Sequence, residues 1–332
     1  SYLQFFVALS SIPGGLIQKM DENTNNNNNE DNLIVILIDR IKTELQSSHP
    51  IIALQLLSQL PKDAIVDQKY LLNEVMDLFL SSSDEIRSIS PESIFNIAKS
   101  SKSIQIEEIT DNLLQLAMYD SSAKVRSSII NAISSNCSEL LASPDRIKCL
   151  DIFIGDDSIT VRKATFKLMA AISQLNPLSI VSLARDALTN CLFYIRHSLN
   201  VRQKARYFET LPDLISASKS MIKAYSGAVI DIVLSNLILF PASSTTKYEN
   251  FMEEDAENTI LIGIMDSLSL VAPLDPGQVA HYGDILIPLI CNILLTRNCR
   301  NLSLSIMKLF LSLLTFPGSD LSYRAKTPMI LS

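Results

Sequence analysis

The stretch GDDSITVRKATFKLMAAISQLNP, residues 155–177, decides the fold. It opens with a polar turn, whose Asp and Ser side chains can accept hydrogen bonds from the free N–H groups at the start of a helix. Apolar residues then recur at helical spacing along one face, at Val161, Ala164, Leu168, Ile172 and Leu175. The stretch therefore predicts a turn followed by an amphipathic helix.

The same pattern recurs along the chain at a regular interval. An apolar residue followed by Arg opens the helix after the turn at four places: Ile86-Arg87, Val125-Arg126, Val161-Arg162 and Val201-Arg202. Successive arginines of this set are 39, 36 and 40 residues apart, an interval typical of proteins built from repeated helical pairs. A second amphipathic run precedes each turn, so every unit is predicted to hold two helices, A and B.

Such pairs fill most of the chain. Further segments keep the apolar periodicity without the apolar-Arg start: 32–46 with 50–60, 69–80 with 91–98, and the later B helices 258–271 and 302–316. Because one pair cannot cover its own apolar face, neighbouring pairs must stack. We therefore predict an all-α fold, an α-solenoid of about seven helical pairs. Pro212 lies inside the fifth B helix and is expected to kink or end it.

Three segments interrupt or flank the predicted stack of pairs, which covers residues 31–316. Residues 1–30 are a leading segment, whose Asn-rich tract has nothing to bury and is expected to be a disordered loop. An insertion at 242–257 is expected to be a solvated loop, with a phosphorylated docking loop as the alternative. Residues 317–332 are expected to be the truncated start of the next repeat.

The composition disfavours several classes of protein. Only 8 of the 332 residues are Gly, which argues against the glycine-dependent dinucleotide-binding, propeller and barrel folds. A net charge of -7 has the wrong sign for coating nucleic acid or an anionic membrane. The five Cys form no CxxC motif, which indicates buried thiols in the reducing cytoplasm. The longest uncharged apolar runs, 33–38 and 285–295, fall short of the ~18–20 residues that span a bilayer, so no transmembrane segment is expected.

The sequence holds no residue set with catalytic chemistry. The motifs of serine hydrolases, phosphate-binding loops, zinc proteases and protein kinases are all missing from it. Its three His residues are far apart, at His49, His197 and His281. Cys291 and Cys299 have no partner pair at metal-ligand spacing. We therefore predict no catalytic, cofactor-binding or metal-binding residue, and no cofactor, in this chain.

One set of charged residues is predicted to be structural. In stacked helical pairs, an Arg at the start of helix B can bond the acidic turn residue of a neighbouring unit. This predicts a structural ladder of Asp120, Arg126, Asp156, Asp157, Arg162 and Arg202. A ligand site is the alternative interpretation of the same residues.

A second set is a candidate interaction patch. The densest basic cluster of the sequence contains Arg185, Arg196, Lys204 and Arg206, together with His197 and Arg202. Such a cluster could bind an acidic segment of a partner protein, or a phosphate group. Chance placement on the surface is the alternative.

The repeat resembles a known family. Helical pairs of 36 to 40 residues with a turn Asp and an apolar-Arg start are similar to HEAT repeats. Within that class, residues 155–177 resemble the HEAT unit of the target of rapamycin (TOR) kinases, which runs from a turn acid through Arg to an Asn-Pro end. Residues 197–225 and 322–328 are similar to the same family, and the departures from its pattern indicate a divergent member.

This resemblance implies a role without catalysis in this part of the chain. It implies a HEAT scaffold segment of a TOR-like phosphatidylinositol-3-kinase-related serine/threonine protein kinase, with the kinase domain further along a longer polypeptide. In that family the HEAT array mediates dimerisation and docks regulatory subunits such as raptor, in nutrient and growth signalling. The expected location is the cytoplasm, at endomembrane surfaces. The alternative is a free-standing HEAT adaptor, either a nuclear-transport receptor or a phosphatase scaffold.

Overall fold

The computed structural model describes residues 29–47, 50–60, 68–100, 105–239, 251–297 and 299–314. Within these ranges the chain is helical, and no residue of them is in a β-strand. The chain divides into two compact units, residues 1–140 and 141–332. The all-α class predicted from the sequence is confirmed.

The first unit consists of three helical pairs. Its helices are α1 (Asn29–Leu45), α2 (Ile51–Gln59), α3 (Gln68–Leu78), α4 (Asp84–Ser100), α5 (Ile106–Tyr119) and α6 (Ala123–Cys137). Each odd-numbered helix packs on the even-numbered helix that follows it, and α4 packs on both α2 and α6. The even-numbered helices are therefore the B helices, and they form the continuous layer of this unit. A 3₁₀ helix, Ser138–Ala142, follows α6.

Hydrogen bonds join successive B helices of the first unit. Ser93 Oγ on α4 donates to the carbonyl of Leu54 on α2 at 2.7 Å, and Asn96 Nδ2 donates to the carbonyl of Leu57 at 2.7 Å. Ser128 Oγ on α6 donates in turn to the carbonyl of Ser88 on α4. A bond of this kind adds about 1 kcal/mol to stability. These side chains therefore fix how successive B helices align with one another, while burial of the apolar stripes holds the layer together.

The second unit consists of four pairs and one short extra helix. Its helices are α7 (Pro144–Ile154), α8 (Ile159–Leu175), α9 (Pro177–His197), α10 (Val201–Ala217), α11 (Ile222–Leu239), α12 (Phe251–Val271), α13 (Pro276–His281), α14 (Gly283–Thr296) and α15 (Arg300–Leu314). The B helices α8, α10, α12 and α15 pack in sequence, and each also packs on the A helix before it. Together the two units hold seven pairs in the described ranges, and the predicted α-solenoid class is confirmed.

The apolar stripe predicted on α8 lies mostly in the core of the second unit. Val161, Leu168, Met169 and Ile172 are buried without any exposed surface. Each fully buried side chain of this size contributes roughly 1.5–3 kcal/mol. Leu175, the last residue of the predicted stripe, is exposed, because the helix ends there and the chain turns into α9.

Pro212 does not end α10, which continues to Ala217. Proline has no N–H group to donate to the carbonyl four residues earlier, which here belongs to Phe208. Gly263 on α12 lies against that same carbonyl: a Cβ atom at Gly263 would be 2.3 Å from the Phe208 oxygen. Because Gly263 has no side chain, the backbones of α10 and α12 can come into contact at the helical turn that contains Pro212.

Two helices begin earlier than the sequence indicated. The structure starts α12 at Phe251 rather than 258, so residues 251–257 of the expected loop 242–257 are helical. Acidic residues Glu254 and Asp255 favour a helix at this end, since they complement its positive N-terminal dipole. The predicted segment 91–98 is likewise only the later part of a helix, because α4 begins at Asp84, at the turn before Ile86-Arg87, and contains Pro91 in its interior.

The expected segments at the two ends of the chain lie mostly outside the described residues. This holds for residues 1–28 of the leading segment, including Asn25 to Asn28 of the Asn-rich tract, and for residues 315–332. The first part of the insertion, up to residue 250, is outside them as well. Asn29 is the first residue of α1.

One helix of the described part, α9, is long and apolar enough to cross a membrane by length and composition alone. Core helices of soluble proteins pass the same test. In α9 one side is buried against α8 and α10, through Ile180, Leu188 and Ile195 among others. A transmembrane segment is therefore not supported by this helix.

Candidate interaction surfaces

The structure forms a ladder of the expected kind between Arg87 and Asp120. Arg87 on α4 donates from Nε to Asp120 Oδ2 at 2.9 Å and from Nη2 to Asp120 Oδ1 at 3.3 Å. Its Nη1 donates to the carbonyl of Ser81 at 2.8 Å. The Arg87 and Asp120 side chains are only 13% and 12% exposed, and the bond to Asp120 raises the pKa of Arg87. Arg87 belongs to one of the four apolar-Arg pairs that mark the start of a B helix, as Arg126 and Arg162 do. The sequence therefore contained a signal that could have placed Arg87 in the predicted ladder.

Two of the predicted turn acids also stabilise their own turns. Asp120 Oδ1 accepts from the backbone N–H of Ser122 at 2.8 Å, and Asp156 Oδ1 accepts from that of Ser158 at 2.8 Å. Asp120 lies two residues before Ser122, and Asp156 lies two residues before Ser158; these two serines immediately precede the B helices α6 and α8. This is the side-chain turn for which Asp is favoured over most residues.

The remaining predicted ladder residues have different surroundings. Arg126 Nη1 donates to the carbonyls of Asp120 and Ser121 at 3.0 and 3.1 Å. Asp157 and Arg202 are exposed. No hydrogen bond or ion pair of either side chain is found among the described residues, although the backbone N–H of Arg202 donates to the side chain of the capping residue before α10.

Arg162 is the ladder residue whose environment departs most from the prediction. Its Nε and Nη2 atoms are buried and have no hydrogen-bond partner among the described residues. Its guanidinium lies 5.8 Å from the centroid of the Tyr207 ring. The Tyr207 ring stacks on Tyr194, with centroids 5.0 Å apart and planes 5° from parallel. Burial raises the pKa of Tyr207, and the nearby Arg162 opposes that shift.

The candidate basic patch lies on α9 and α10. Arg196 and Arg206 are exposed, and Lys204 is half-buried. Arg185 donates from Nε to Asp186 at 3.2 Å, and it precedes Arg196 by eleven residues, about 16 Å along the helix axis. The patch therefore divides into Arg185 with its own acidic partner and a basic group around the turn between α9 and α10.

Exposed apolar residues recur where the A helices end. In the first unit they are Leu80 and Tyr119, and in the second unit they are Ile152, Leu199, Ile238 and Leu295. Leu199 is fully exposed, and Leu80, Tyr119 and Leu295 are more than four-fifths exposed. Single exposed apolar residues are ordinary, but these six share one place in the repeat, and we call those of each unit its apolar row.

A charged cluster lies on the B-helix layer of the second unit. Lys163 on α8 pairs with Glu209 on α10 at 3.4 Å, beside a groove of about 310 Å³ that also contains Asp266 of α12. Asp213, next to them, is half-buried, and this burial raises its pKa, partly opposed by Lys163 and Lys167. The cluster holds opposite charges in mutual contact, which is typical of a structural surface.

The described residues contain no group of three or more His, Cys, Asp or Glu side chains that could hold a metal ion. The five Cys are free thiols, of which Cys137 and Cys191 are buried. Burial raises the pKa of Cys191 to about 12. A thiol of that pKa is protonated and unreactive at neutral pH, so it acts as a small apolar side chain.

Solved structures show the same fold. The chain aligns with the structure of a Kap95:Nup1 complex at a TM-score of 0.65 and 12% identity, covering 99% of this chain and 40% of that one. A structure of Kap95p with RanGDP gives 0.61 and 14%, covering 98% and 41%. Importin beta gives 0.58 and 13%, covering 91% and 39%. These neighbours are HEAT-repeat solenoids.

Sequence comparison gives a more specific result. Serine/threonine-protein kinase tor1 of Schizosaccharomyces pombe is 27% identical over 129 residues, which cover 39% of this chain and 6% of that protein. TOR2 of Saccharomyces cerevisiae is 23% identical over 187 residues, covering 56% and 7%. TOR of Arabidopsis thaliana is 24% identical over 192 residues, covering 57% and 7%. The chain is a divergent relative of the HEAT region of TOR kinases.

No family model matches the chain. The TOR-like segment spans 6–7% of the length of the kinases named above. The fold and the similarity to TOR kinases together support a HEAT scaffold.

Proposed function

We propose that this chain is a non-catalytic HEAT scaffold segment of a TOR-like phosphatidylinositol-3-kinase-related serine/threonine protein kinase. In this proposal it mediates dimerisation and docks a raptor-like regulatory subunit, in nutrient and growth signalling, in the cytoplasm at endomembrane surfaces. The observation that carries the proposal is the similarity to TOR kinases over 129 to 192 residues of a HEAT-type chain.

The surface that supports docking is the apolar row on the turns. A leucine that is fully exposed, such as Leu199, gains roughly 1.5–3 kcal/mol when a partner covers it completely. Ile152 and Ile238 of the same row are only 56% and 59% exposed, so covering the four row residues of the second unit gains less than about 12 kcal/mol. Association costs roughly 4–15 kcal/mol, so the row contributes to docking together with other contacts. The row thus supplies affinity, while the charged residues near it supply specificity.

The proposal is tested on the natural protein in its host. The gene is tagged at its chromosomal locus, the product is purified, and its mass and its phosphorylation of Ser and Thr in protein substrates are measured. We expect a polypeptide many times larger than the 36.8 kDa of this chain, with kinase activity that is missing from the same purification of an untagged strain. A product close to 36.8 kDa without kinase activity would contradict the proposal.

Docking is tested in the same purification. We expect a stoichiometric regulatory subunit and a dimeric assembly by mass photometry. Replacing Leu199 with Glu should release the subunit or weaken dimerisation, whereas the same change at Ile52, a 43% exposed residue on a B helix, should not. A free-standing adaptor would instead hold a transport GTPase or a phosphatase catalytic subunit, and neither outcome is expected here.

A further inference from the structure

The last B helix of the described part, α15, has an exposed apolar face. Leu304, Met307 and Leu311 are 53%, 60% and 63% exposed. Met307 and Leu311 follow Leu304 by three and seven residues, so at about 100° per residue the three side chains leave the helix within an arc of about 60°. We call these three residues the α15 stripe. Unlike single exposed apolar residues, which are ordinary, they form one continuous line along the helix.

The α15 stripe lies opposite the face through which α15 is already packed. Leu302, Ile306 and Leu309 are at most 1% exposed, and α15 packs on α12 and α14. At about 100° per residue, the centres of this buried face and of the stripe are about 170° apart around the helix axis. Neither α12 nor α14 therefore covers the stripe.

The two B helices before α15 are buried over a much wider arc. The residues of α10 and of α12 that are described as buried span about 200° or more around each helix axis, whereas those of α15 span about 100°. In the described ranges, neither α10 nor α12 has a large apolar side chain that is exposed. On these two helices, the side that corresponds to the α15 stripe is therefore covered.

The neighbours of α10 and α12 show what covers that side. The helix α10 packs on α8 and on α12, and α12 packs on α10 and on α15, so each has a B helix before it and a B helix after it. Among the described residues, α15 has only the preceding B helix, α12. The last repeat of a solenoid normally has a polar outer face, and the α15 stripe is apolar. Residues three and four apart also form the ridges that pack into the grooves of a neighbouring helix, so the stripe fits a following B helix.

We propose that a further HEAT-type helical pair of the natural polypeptide stacks on α15, and that the apolar side of its B helix covers Leu304, Met307 and Leu311. The layer of B helices then continues beyond α15. Relatives of this chain have ample length for such a pair, since the similar segment spans only 6–7% of the TOR kinases. The inference rests on the longer polypeptide of the proposed function but not on its kinase activity, because a longer HEAT adaptor would carry the same pair.

Oxidation of Met307 tests the proposal. The natural protein, purified from its host through a chromosomal tag, and the purified 332-residue chain are treated with hydrogen peroxide, which converts accessible methionine to the sulfoxide. Peptide mass spectrometry measures the oxidation rate of each methionine. We expect Met307 to oxidise at least about tenfold more slowly in the natural protein, because the following pair covers it. Met118, a half-buried residue of α5, is the internal control and should oxidise at the same rate in both proteins.

A matched pair of variants of the natural protein tests the contact itself. Leu304→Glu places a charge in the covered face, which is unfavourable without a partner for that charge, and it should return the oxidation rate of Met307 toward that of the 332-residue chain. Ile285→Glu, at a residue of α14 with the same exposed fraction of 53%, should leave Met307 protected. If the Leu304→Glu protein does not accumulate in the host, the comparison of the two unmutated proteins decides the question.

Three results would overturn the inference. Equal oxidation rates of Met307 in the natural protein and in the 332-residue chain would mean that nothing covers the stripe. Protection that appears in the 332-residue chain as its concentration rises would assign the stripe to a second copy of this chain. Protection of the natural protein that is lost when a co-purified subunit is removed would assign it to a separate protein.

These outcomes are distinguishable from a failure of the proposed function. A long natural protein that protects Met307 but has no kinase activity would contradict the proposed function and support this inference. A kinase whose Met307 is oxidised as fast as in the 332-residue chain would support the proposed function and overturn this inference.

Discussion

The contact between Gly263 and Phe208 makes a quantitative prediction about stability. Replacing Gly263 by Ala places a Cβ atom 2.3 Å from the Phe208 carbonyl oxygen, 2.7 Å from its carbonyl carbon and 2.9 Å from its Cβ atom. All three distances are below 3.0 Å, which side-chain carbons in proteins essentially never show. The obstacle is backbone, so it cannot move aside as a flexible side chain would.

The expected magnitude follows from two opposing effects. Overpacking of this kind costs about 1–3 kcal/mol, because the helices must separate. Alanine is favoured over glycine within a helix by about 0.5–1 kcal/mol, which offsets part of that cost. We expect Gly263→Ala to lower the free energy of unfolding by about 1–2 kcal/mol.

The assay is urea unfolding of the 332-residue chain, followed by circular dichroism at 222 nm. The matched control is Gly227→Ala in α11, where a new Cβ atom meets nothing within 4 Å. That variant should gain the helix preference alone, about 0.5–1 kcal/mol. The reasoning is refuted if Gly263→Ala is as stable as the wild type, or if both variants shift the unfolding midpoint in the same direction.

Three further predictions concern charges and thiols. Arg87→Met should lower the free energy of unfolding of the first unit by about 2–3 kcal/mol in urea, because it leaves a nearly buried Asp120 without its cation. The control Arg40→Met removes an exposed pair with Glu44 and should cost less than about 1 kcal/mol. Equal losses of stability in the two variants would refute the structural role of the Arg87–Asp120 pair. Since burial raises the pKa of Asp213, its contribution to stability is complete below its unfolded pKa and is lost as the pH rises through the folded pKa. Asp213→Asn should therefore stabilise the fold at about pH 7 and lose that advantage toward about pH 4, and a gain that grows on acidification would contradict this sign. Iodoacetamide should modify the half-buried Cys149 in the native protein and leave Cys191 unmodified until the protein unfolds. The physical reason is that burial raises the pKa of Cys191 to about 12. Peptide mass spectrometry measures the labelling of each thiol, and equal labelling rates would contradict the burial of Cys191.

The fold could be predicted from the sequence because its determinants are local and periodic. The stripe through Val161, Leu168 and Ile172 fixes which face of α8 is buried, and the recurrence of the apolar-Arg start fixes the unit length. Where the local signal is weak, the prediction fails. The start of α12 at Phe251 lies in a polar stretch without apolar periodicity, so the sequence indicated a loop there.

The candidate surfaces were predicted only in part, because they depend on partners from different repeats. The sequence marks Arg162 as a ladder residue, and only the structure shows that its buried Nε and Nη2 atoms have no hydrogen-bond partner among the described residues. Tyr194 of α9 stacks on Tyr207 of α10, and the apolar pattern within either helix does not indicate this contact between them. The approach of Gly263 to Phe208 depends on how two backbones cross, and no sequence pattern encodes that distance.

The central claim is that this chain is a scaffold segment of a larger TOR-like kinase. Sequencing the transcript that encodes Ser332 tests it most directly. We expect the reading frame to continue beyond Ser332 into a kinase domain with its catalytic-loop and metal-binding motifs. A stop codon soon after Ser332 would contradict the claim.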